Sequence, residues 1–361
     1  MSNSVFLPHF TIGADAYKDV PKICQEYGRR AVVIGGKTAL AKATDMLKVG
    51  VANSAIELID FVWYGGDSSF ENVEMLKNNQ SVQNAEMIFS VGGGRVHDTC
   101  KTLAEQLNKP IFTFPTIASN CACVTAVNVI YDANAVFKEL YFMEKSPVHT
   151  FINSQIIAEA PVVYLWAGIG DALSKEVECT FSARGDELNY ADALGVQVSK
   201  MCNEPLLKYG EKAMQSCQDN VTSFAFEQVI LDILVTTGLV SVLVINDYNS
   251  NLAHSIYYGT TAVSRLEENH LHGEVVSYGV LVLLTLDKQF ELRDRVYKFM
   301  KNIKLPTQLA DIELEIDSID FNKMLDKAMT TADLQHSPYT ITREMIYHAI
   351  VELEEYNNLT H

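Results

Sequence analysis

Short apolar runs alternate with amphipathic stretches over the first third of the chain. Helix-period patterns cover residues 14–27, 38–47, 71–78 and 95–107, and each leads into a strand-like run, at 31–35, 56–63, 87–92 and 110–114. Apolar strands separated by amphipathic helices predict a parallel sheet covered on both faces. Past Pro115 the pattern changes. Two runs at 127–131 and 136–142, joined by Asp132, Ala133, Asn134 and Ala135, predict a β-hairpin, and 148–152 predicts one further strand. From Pro161 onward helical periodicity dominates. The pattern predicts an α/β domain over residues 1–160 and an all-helical domain over 161–361, with no linker tract between them. A chain of 361 residues suits two domains.

Candidate chemistry falls at the ends of these elements. The run that begins at Met87 closes on Gly92, Gly93 and Gly94 before the next helix. Bare glycines at a strand-to-helix turn expose backbone N–H groups, and the helix N-terminus adds about half a positive charge, which together suit a phosphate. The spacing is not G-x-G-x-x-G, so a plain tight turn reads as well as a phosphate loop. In the helical half, Asp171 follows Gly168 and Gly170 and reads as the opening of a helix, with an N-cap as the simpler role. His254 sits in an apolar helical context, where a lone histidine is more often a core residue. His272 precedes Gly273, and His270 stands two positions earlier. One aspartate and two histidines from separate helices nevertheless supply the oxygen and nitrogen donors of an open zinc or ferrous site.

Composition narrows the partners. A formal charge of −17 and a pI near 4.9 argue against nucleic acid and against anionic membrane surfaces. The N-terminal residues lack the pattern of a signal peptide, and no uninterrupted apolar run reaches the length of a membrane span. Seven cysteines, an odd number with no C-x-x-C pair, fit a reducing, cytoplasmic setting. Cys121 and Cys123 are too close in sequence for an ordinary bridge.

In chain order, Gly92-Gly-Gly-x-x-x-Asp98, Pro115-Thr-Ile-Ala-Ser119, Ala167-Gly-Ile-Gly-Asp171, Ala253-His254 and His272-Gly-Glu274 resemble the motifs of the iron-containing alcohol dehydrogenase superfamily. The nearest branch is that of the glycerol dehydrogenases, with the hydroxycarboxylate dehydrogenases beside it. The resemblance implies a Rossmann-like dinucleotide-binding domain, a helical domain in the dehydroquinate synthase-like arrangement, and a metal in the cleft between them. It places the metal on Asp171, His254 and His272, with His270 as the fallback for the third ligand. Lys175 stands where iron-type members carry a further histidine, which favours Zn2+ over Fe2+. The cofactor pyrophosphate is expected over Gly93, Gly94 and Arg95. Asp98, Thr116, Ser119, Thr125, Val127 and Tyr131 match other cofactor-lining positions.

Two departures from the branch carry information. Cys121 replaces the aspartate that contacts a polyol in glycerol dehydrogenases, and a thiol is a poor acceptor for two hydroxyl groups. Gly36 replaces the acid that binds the ribose 2′-OH, and Lys37 beside it could attract a 2′-phosphate. The implied activity is NAD(P)-linked hydride transfer to or from a small alcohol, a glycerol-like polyol or a 2-hydroxy acid, by a homo-oligomer. Lys175 is a candidate cation for a substrate carboxylate. Two alternatives share the architecture: a dehydroquinate-synthase-like lyase, and a non-catalytic binding protein. Asp171 in place of a glutamate ligand speaks against the first, and the intact donor set against the second.

Overall fold

The computed structural model describes residues 5–132 and 137–360. The residues fall into two compact units. One comprises 1–164 with 215–242, the other 165–214 with 243–361.

The first unit is built on a six-stranded sheet. Its strands are β1 (Phe10–Ile12), β2 (Arg30–Gly35), β3 (Glu57–Trp63), β4 (Met87–Gly92), β5 (Ile111–Pro115) and β8 (His149–Ile152). Every pairing is parallel, in the spatial order β1-β8-β5-β4-β2-β3. The helices are α1 (Val20–Cys24), α2 (Lys37–Val51), α3 (Phe70–Lys77), α4 (Gln80–Asn84), α5 (Gly94–Leu107) and α6 (Ser154–Ala158). The predicted hairpin forms as the antiparallel pair β6 (Val127–Tyr131) and β7 (Phe137–Phe142), with residues 133–136 of its turn outside the described residues.

Alternation along β2 decides which helix covers which face. Ala31 and Val33 pack with Ala43, Leu47 and Val51 of α2, whereas Val32 and Ile34 pack with Val96, Cys100 and Leu103 of α5. Helices α2 and α5 therefore lie on opposite faces, and the strands they follow, β2 and β4, are neighbours. From β2 the chain moves outward to β3, crosses back to β4, and then continues to β5 and β8. That reversal makes the gap between the carboxyl ends of β2 and β4 the topological switch point, where open α/β sheets bind ligands. Gly35 and Gly36 close one side of it, and Gly92 to Gly94 the other. Gly35 cannot carry a side chain, since a Cβ there would stand 2.5 Å from the Val91 carbonyl oxygen.

A buried imidazole sits beneath this edge. His97 is 2 % exposed, with Nδ1 2.9 Å from Ser90 Oγ. Burial, helped by the nearby Lys101 charge, pushes its pKa down to about 3. The unfolded chain takes up a proton near pH 6.5 that the folded protein refuses, so this contribution to stability is complete above that pH. It is lost as the pH falls toward 3. Between pH 7 and pH 5 the loss amounts to about 2 kcal/mol. Urea unfolding of His97→Asn should therefore show a flatter acid dependence than the unaltered protein, and equal slopes would remove His97 as the cause.

The second unit is helical. It contains most of α7 (Val162–Ser182), then α8 (Tyr190–Ser199) and the larger part of α9 (Asn203–Gln218). The intervening α10 (Phe224–Leu231) and α11 (Thr237–Leu243) belong almost wholly to the first unit, joined by a π-turn over Asp232–Thr236. The second unit resumes with α12 (Leu252–Thr260), α13 (Ser264–Asn269), α14 (His272–Leu286), α15 (Phe290–Ile303), α16 (Ile319–Ala328) and α17 (Arg343–Leu359).

Fused end to end, α10, the π-turn and α11 form a helix, Phe224–Leu243, long and apolar enough to cross a membrane by length and composition. Its best window has a mean hydropathy of 1.7, although Thr236 and Thr237 interrupt the apolar run in the sequence. Of that window 61 % is buried within the protein, as in the core helix of a globular fold. Glu227 on it accepts a hydrogen bond from Ser154 Oγ at 2.8 Å.

Candidate functional site

Asp171 does not open a helix. It lies in the middle of the 21-residue α7, and Gly170 before it serves contact rather than termination. A Cβ at Gly170 would overlap the Gly273 carbonyl, and one at Gly273 would overlap the Ala167 carbonyl. Helices α7 and α14 thus meet backbone to backbone, which sets Asp171 beside His272, the first residue of α14. Gly279 gives the same closeness on the other side, where a Cβ would stand 2.6 Å from Ala253 Cα of α12. His254 is the next residue of that helix.

Glycine contacts thereby bring three donors from three helices together. One ligand atom each from Asp171, His254 and His272 lies within 4.8 Å of the others. Asp171 Oδ1 is 3.2 Å from His272 Nε2 and 3.7 Å from His254 Nε2. Ligands bound at about 2.0–2.1 Å in a tetrahedron stand roughly 3.3 Å apart, so both separations suit the edges of such a shell. All three residues are partly exposed, as an open site requires. The Tyr257 ring meets His272 edge-on, with centroids 4.2 Å apart. His270 lies outside the group and pairs through Nδ1 with Glu274 Oε1 at 3.0 Å.

Charge at the centre is arranged for a cation. Burial pushes Asp171 up, but hydrogen bonding to His272 and the charges of His272, His254 and Lys175 hold it below the usual carboxylate range. Burial pulls the His254 imidazole down, and Glu178 and Asp171 more than offset it, so His254 titrates above its ordinary value. Glu178 itself is held low, its burial outweighed by His254 and by two backbone N–H donors. Sequence reading missed Glu178; its one signal is its place seven residues after Asp171, on the same face of α7. Lys175 is neither solvated nor a loose cation. It is buried, with Nζ donating to Asn249 O at 2.9 Å and to Asn249 Oδ1 at 2.7 Å.

The expected cofactor positions all lie in the first unit. Gly93 is the N-cap of α5, and Gly94 is its first residue. Cβ atoms at these two positions would meet Ile117 and Asn120, so the loop carrying Thr116, Ser119 and Cys121 runs beside the turn. Thr116 N donates to Gly92 O at 3.0 Å. The Arg95 guanidinium lies 5.0 Å over the Tyr131 ring and 3.4 Å from Asp67 Oδ2. Asp98 is buried and engaged by Lys101 Nζ at 3.2 Å and by Val129 N at 3.3 Å. Lys101, itself fully buried, donates to Val127 O at 2.7 Å and to Thr125 O at 3.2 Å. Thr125 and Val127 are thus fixed to α5 from behind. Gly36 is the N-cap of α2, and a Cβ there would meet only Tyr64 at 3.8 Å and Val96 at 3.9 Å. Lys37 Nζ rests 5.0 Å over the Trp63 ring.

Comparison with known proteins bears on the family and the fold. Residues 8–153 match the family described as iron-containing alcohol dehydrogenase. The chain is 30 % identical to the glycerol dehydrogenase of Thermotoga maritima over 99 % of its own length and 98 % of that protein. It is 29 % identical to hydroxycarboxylate dehydrogenase A of Escherichia coli, covering 91 % of this chain and 90 % of that one. The crystal structure of a probable glycerol dehydrogenase from Sinorhizobium meliloti superposes with a TM-score of 0.85 at 25 % identity, covering 100 % of both chains. By sequence and by fold, the chain belongs to the iron-containing alcohol dehydrogenase family of oxidoreductases, on its glycerol dehydrogenase-like branch.

Proposed function

We propose that the protein is a metal-dependent, NAD(P)-linked dehydrogenase that transfers hydride between the nicotinamide and a small alcohol, polyol or 2-hydroxy acid. The observation that carries this reading is the convergence of Asp171, His254 and His272 within 4.8 Å. Two imidazoles and one carboxylate suit Zn2+, with Fe2+ as the alternative, and three protein ligands leave coordination positions open. When bound, such an ion supplies a Lewis acid for the substrate oxygen. The protein's part is to hold that ion and to bind and orient the cofactor. Backbone N–H groups at Gly93, Gly94 and Arg95, at the N-terminus of α5, would hold the pyrophosphate, with the helix dipole favouring its charge.

The absence of a carboxylate at Gly36, with Lys37 next to it, supports acceptance of a 2′-phosphate and hence use of NADP(H). Cys121 in place of a polyol-binding aspartate supports a carbonyl or 2-oxo acid substrate over glycerol. Lys175 adds positive charge near Asp171 and His254 while its ammonium is anchored on Asn249. Its part in substrate binding is therefore electrostatic in this reading. A cytoplasmic homo-oligomer completes it, supported by the family resemblance and by an odd number of cysteines with no C-x-x-C pair.

The test joins elemental analysis of the purified protein to a fluorescence assay with NADH and NADPH. Substrates are glycerol, 1,2-propanediol and a series of 2-oxo acids. We expect about one zinc or iron per chain and faster turnover of 2-oxo acids than of glycerol. Glycerol as the best substrate would remove the weight placed on Cys121. Bound metal and cofactor without turnover of any substrate would overturn the enzymatic reading.

A further inference from the structure

Glu178 is 0 % exposed, and its two oxygens are used differently. Oε1 accepts from the backbone N–H groups of Asn251 at 2.7 Å and His254 at 3.0 Å, at the start of α12. Oε2 lies 2.6 Å from His254 Nδ1. An ionised carboxylate only accepts hydrogen bonds, so the ring proton is on Nδ1. The lone pair of the neutral imidazole then falls on Nε2, the nitrogen 3.7 Å from Asp171 Oδ1.

We propose that Glu178 is a positioning residue of the metal centre, which fixes the His254 tautomer so that Nε2 is the metal donor. The inference rests on the assignment of Asp171, His254 and His272 as ligands. A carboxylate behind a ligating histidine orients the ring and raises its basicity, and its loss typically weakens metal binding by about 10–100-fold. Asp171 and Glu178 stand seven residues apart on one face of α7. One helix therefore supplies both a ligand and the support for a second.

The competing role is a helix cap: Oε1 alone would tie down the start of α12 without any concern for the metal. Glu178→Gln separates the two. Two backbone donors face Oε1, so the glutamine must turn its carbonyl oxygen toward them and keep the cap. Its NH2 group then faces His254 Nδ1 and donates to it. The ring proton moves to Nε2, and the donor nitrogen is blocked in the neutral ring. The cap survives and the metal position does not.

Two measurements decide the matter. In the unaltered apo protein labelled with 15N-histidine, the neutral His254 ring should carry its proton on Nδ1, and in Glu178→Gln on Nε2. Zinc competition against a chromophoric chelator should show affinity reduced by about 10–100-fold or more in the variant. The thermal midpoint of its apo form should stay close to that of the unaltered protein. An Nε2 proton in the unaltered protein would overturn the inference even if the variant failed to fold, and so would zinc affinity within threefold between the two. Failure of the unaltered protein to bind zinc or iron would instead remove the ligand assignment itself.

Discussion

Alanine at His254 or His272 is expected to leave a protein that folds yet retains no metal on gel filtration, with turnover reduced roughly a thousandfold or more. The magnitude follows from the chemistry: a Lewis acid supplies several kcal/mol of charge stabilisation, and about 1.4 kcal/mol corresponds to a factor of ten in rate. Each replacement would leave only Asp171 and one imidazole, 3.2 or 3.7 Å from its Oδ1, as protein donors to the ion. The same centre gives a pH signature on chelation. In the apo protein His254 has a raised pKa, because the imidazolium offsets the buried charges of Glu178 and Asp171. That contribution to apo stability is complete below the ordinary histidine pKa and disappears as the pH rises through the raised value. At higher pH a bound ion would supply the missing positive charge. The difference in thermal midpoint between metal-loaded and chelated protein should therefore widen from pH 6 to pH 8. A constant difference, or full metal content in His254→Ala, would remove these residues as ligands.

Gly273→Ala is expected to be nearly as damaging, although the residue has no side chain to lose. Its Cβ would overlap the Ala167 carbonyl of α7, a backbone atom that no rotamer change can move. Overpacking of this kind costs about 1–3 kcal/mol, occasionally more. Here the relief must separate the two helices that carry Asp171 and His272, so metal binding suffers beyond the loss in stability. Gly36→Ala serves as the control, since its Cβ meets nothing closer than 3.8 Å. Scanning calorimetry and metal analysis should show Gly273→Ala lowered in both midpoint and zinc content, with Gly36→Ala close to the unaltered protein. An unchanged Gly273→Ala would mean that the helix contact is not what sets the site.

The alternation of runs made the parallel sheet legible, because strands covered on both faces are apolar throughout and their spacing leaves room for helices. The glycine turn was legible for the same reason, lying where a strand ends and a helix begins. Asp171 was misread at the local level. Gly168 and Gly170 look like punctuation in the sequence, whereas both lie inside α7 and Gly170 is the small residue that lets α14 approach. Glu178 was invisible because its meaning depends on His254, 76 residues away. Lys175 reads in the sequence as a candidate cation for a substrate carboxylate, and only Asn249 reveals its ammonium as anchored. Periodicity reports which face is buried, but it does not report what meets that face.

The assignment of residues 215–242 to the first unit bears on how the molecule comes into being. The sheet strands are complete by Ile152, yet the chain runs through 165–214 of the helical unit before it returns with α10 and α11. Gly238 of α11 then packs so closely on Val124 that a Cβ there would overlap its side chain, with Cys121 beside it. During synthesis the six strands therefore emerge about ninety residues before the end of α11, and only then does Gly238 close on the loop that carries Cys121 and Val124. A piece cut after the last strand would lack α10 and α11 and leave the Val124 side of that loop without its partner.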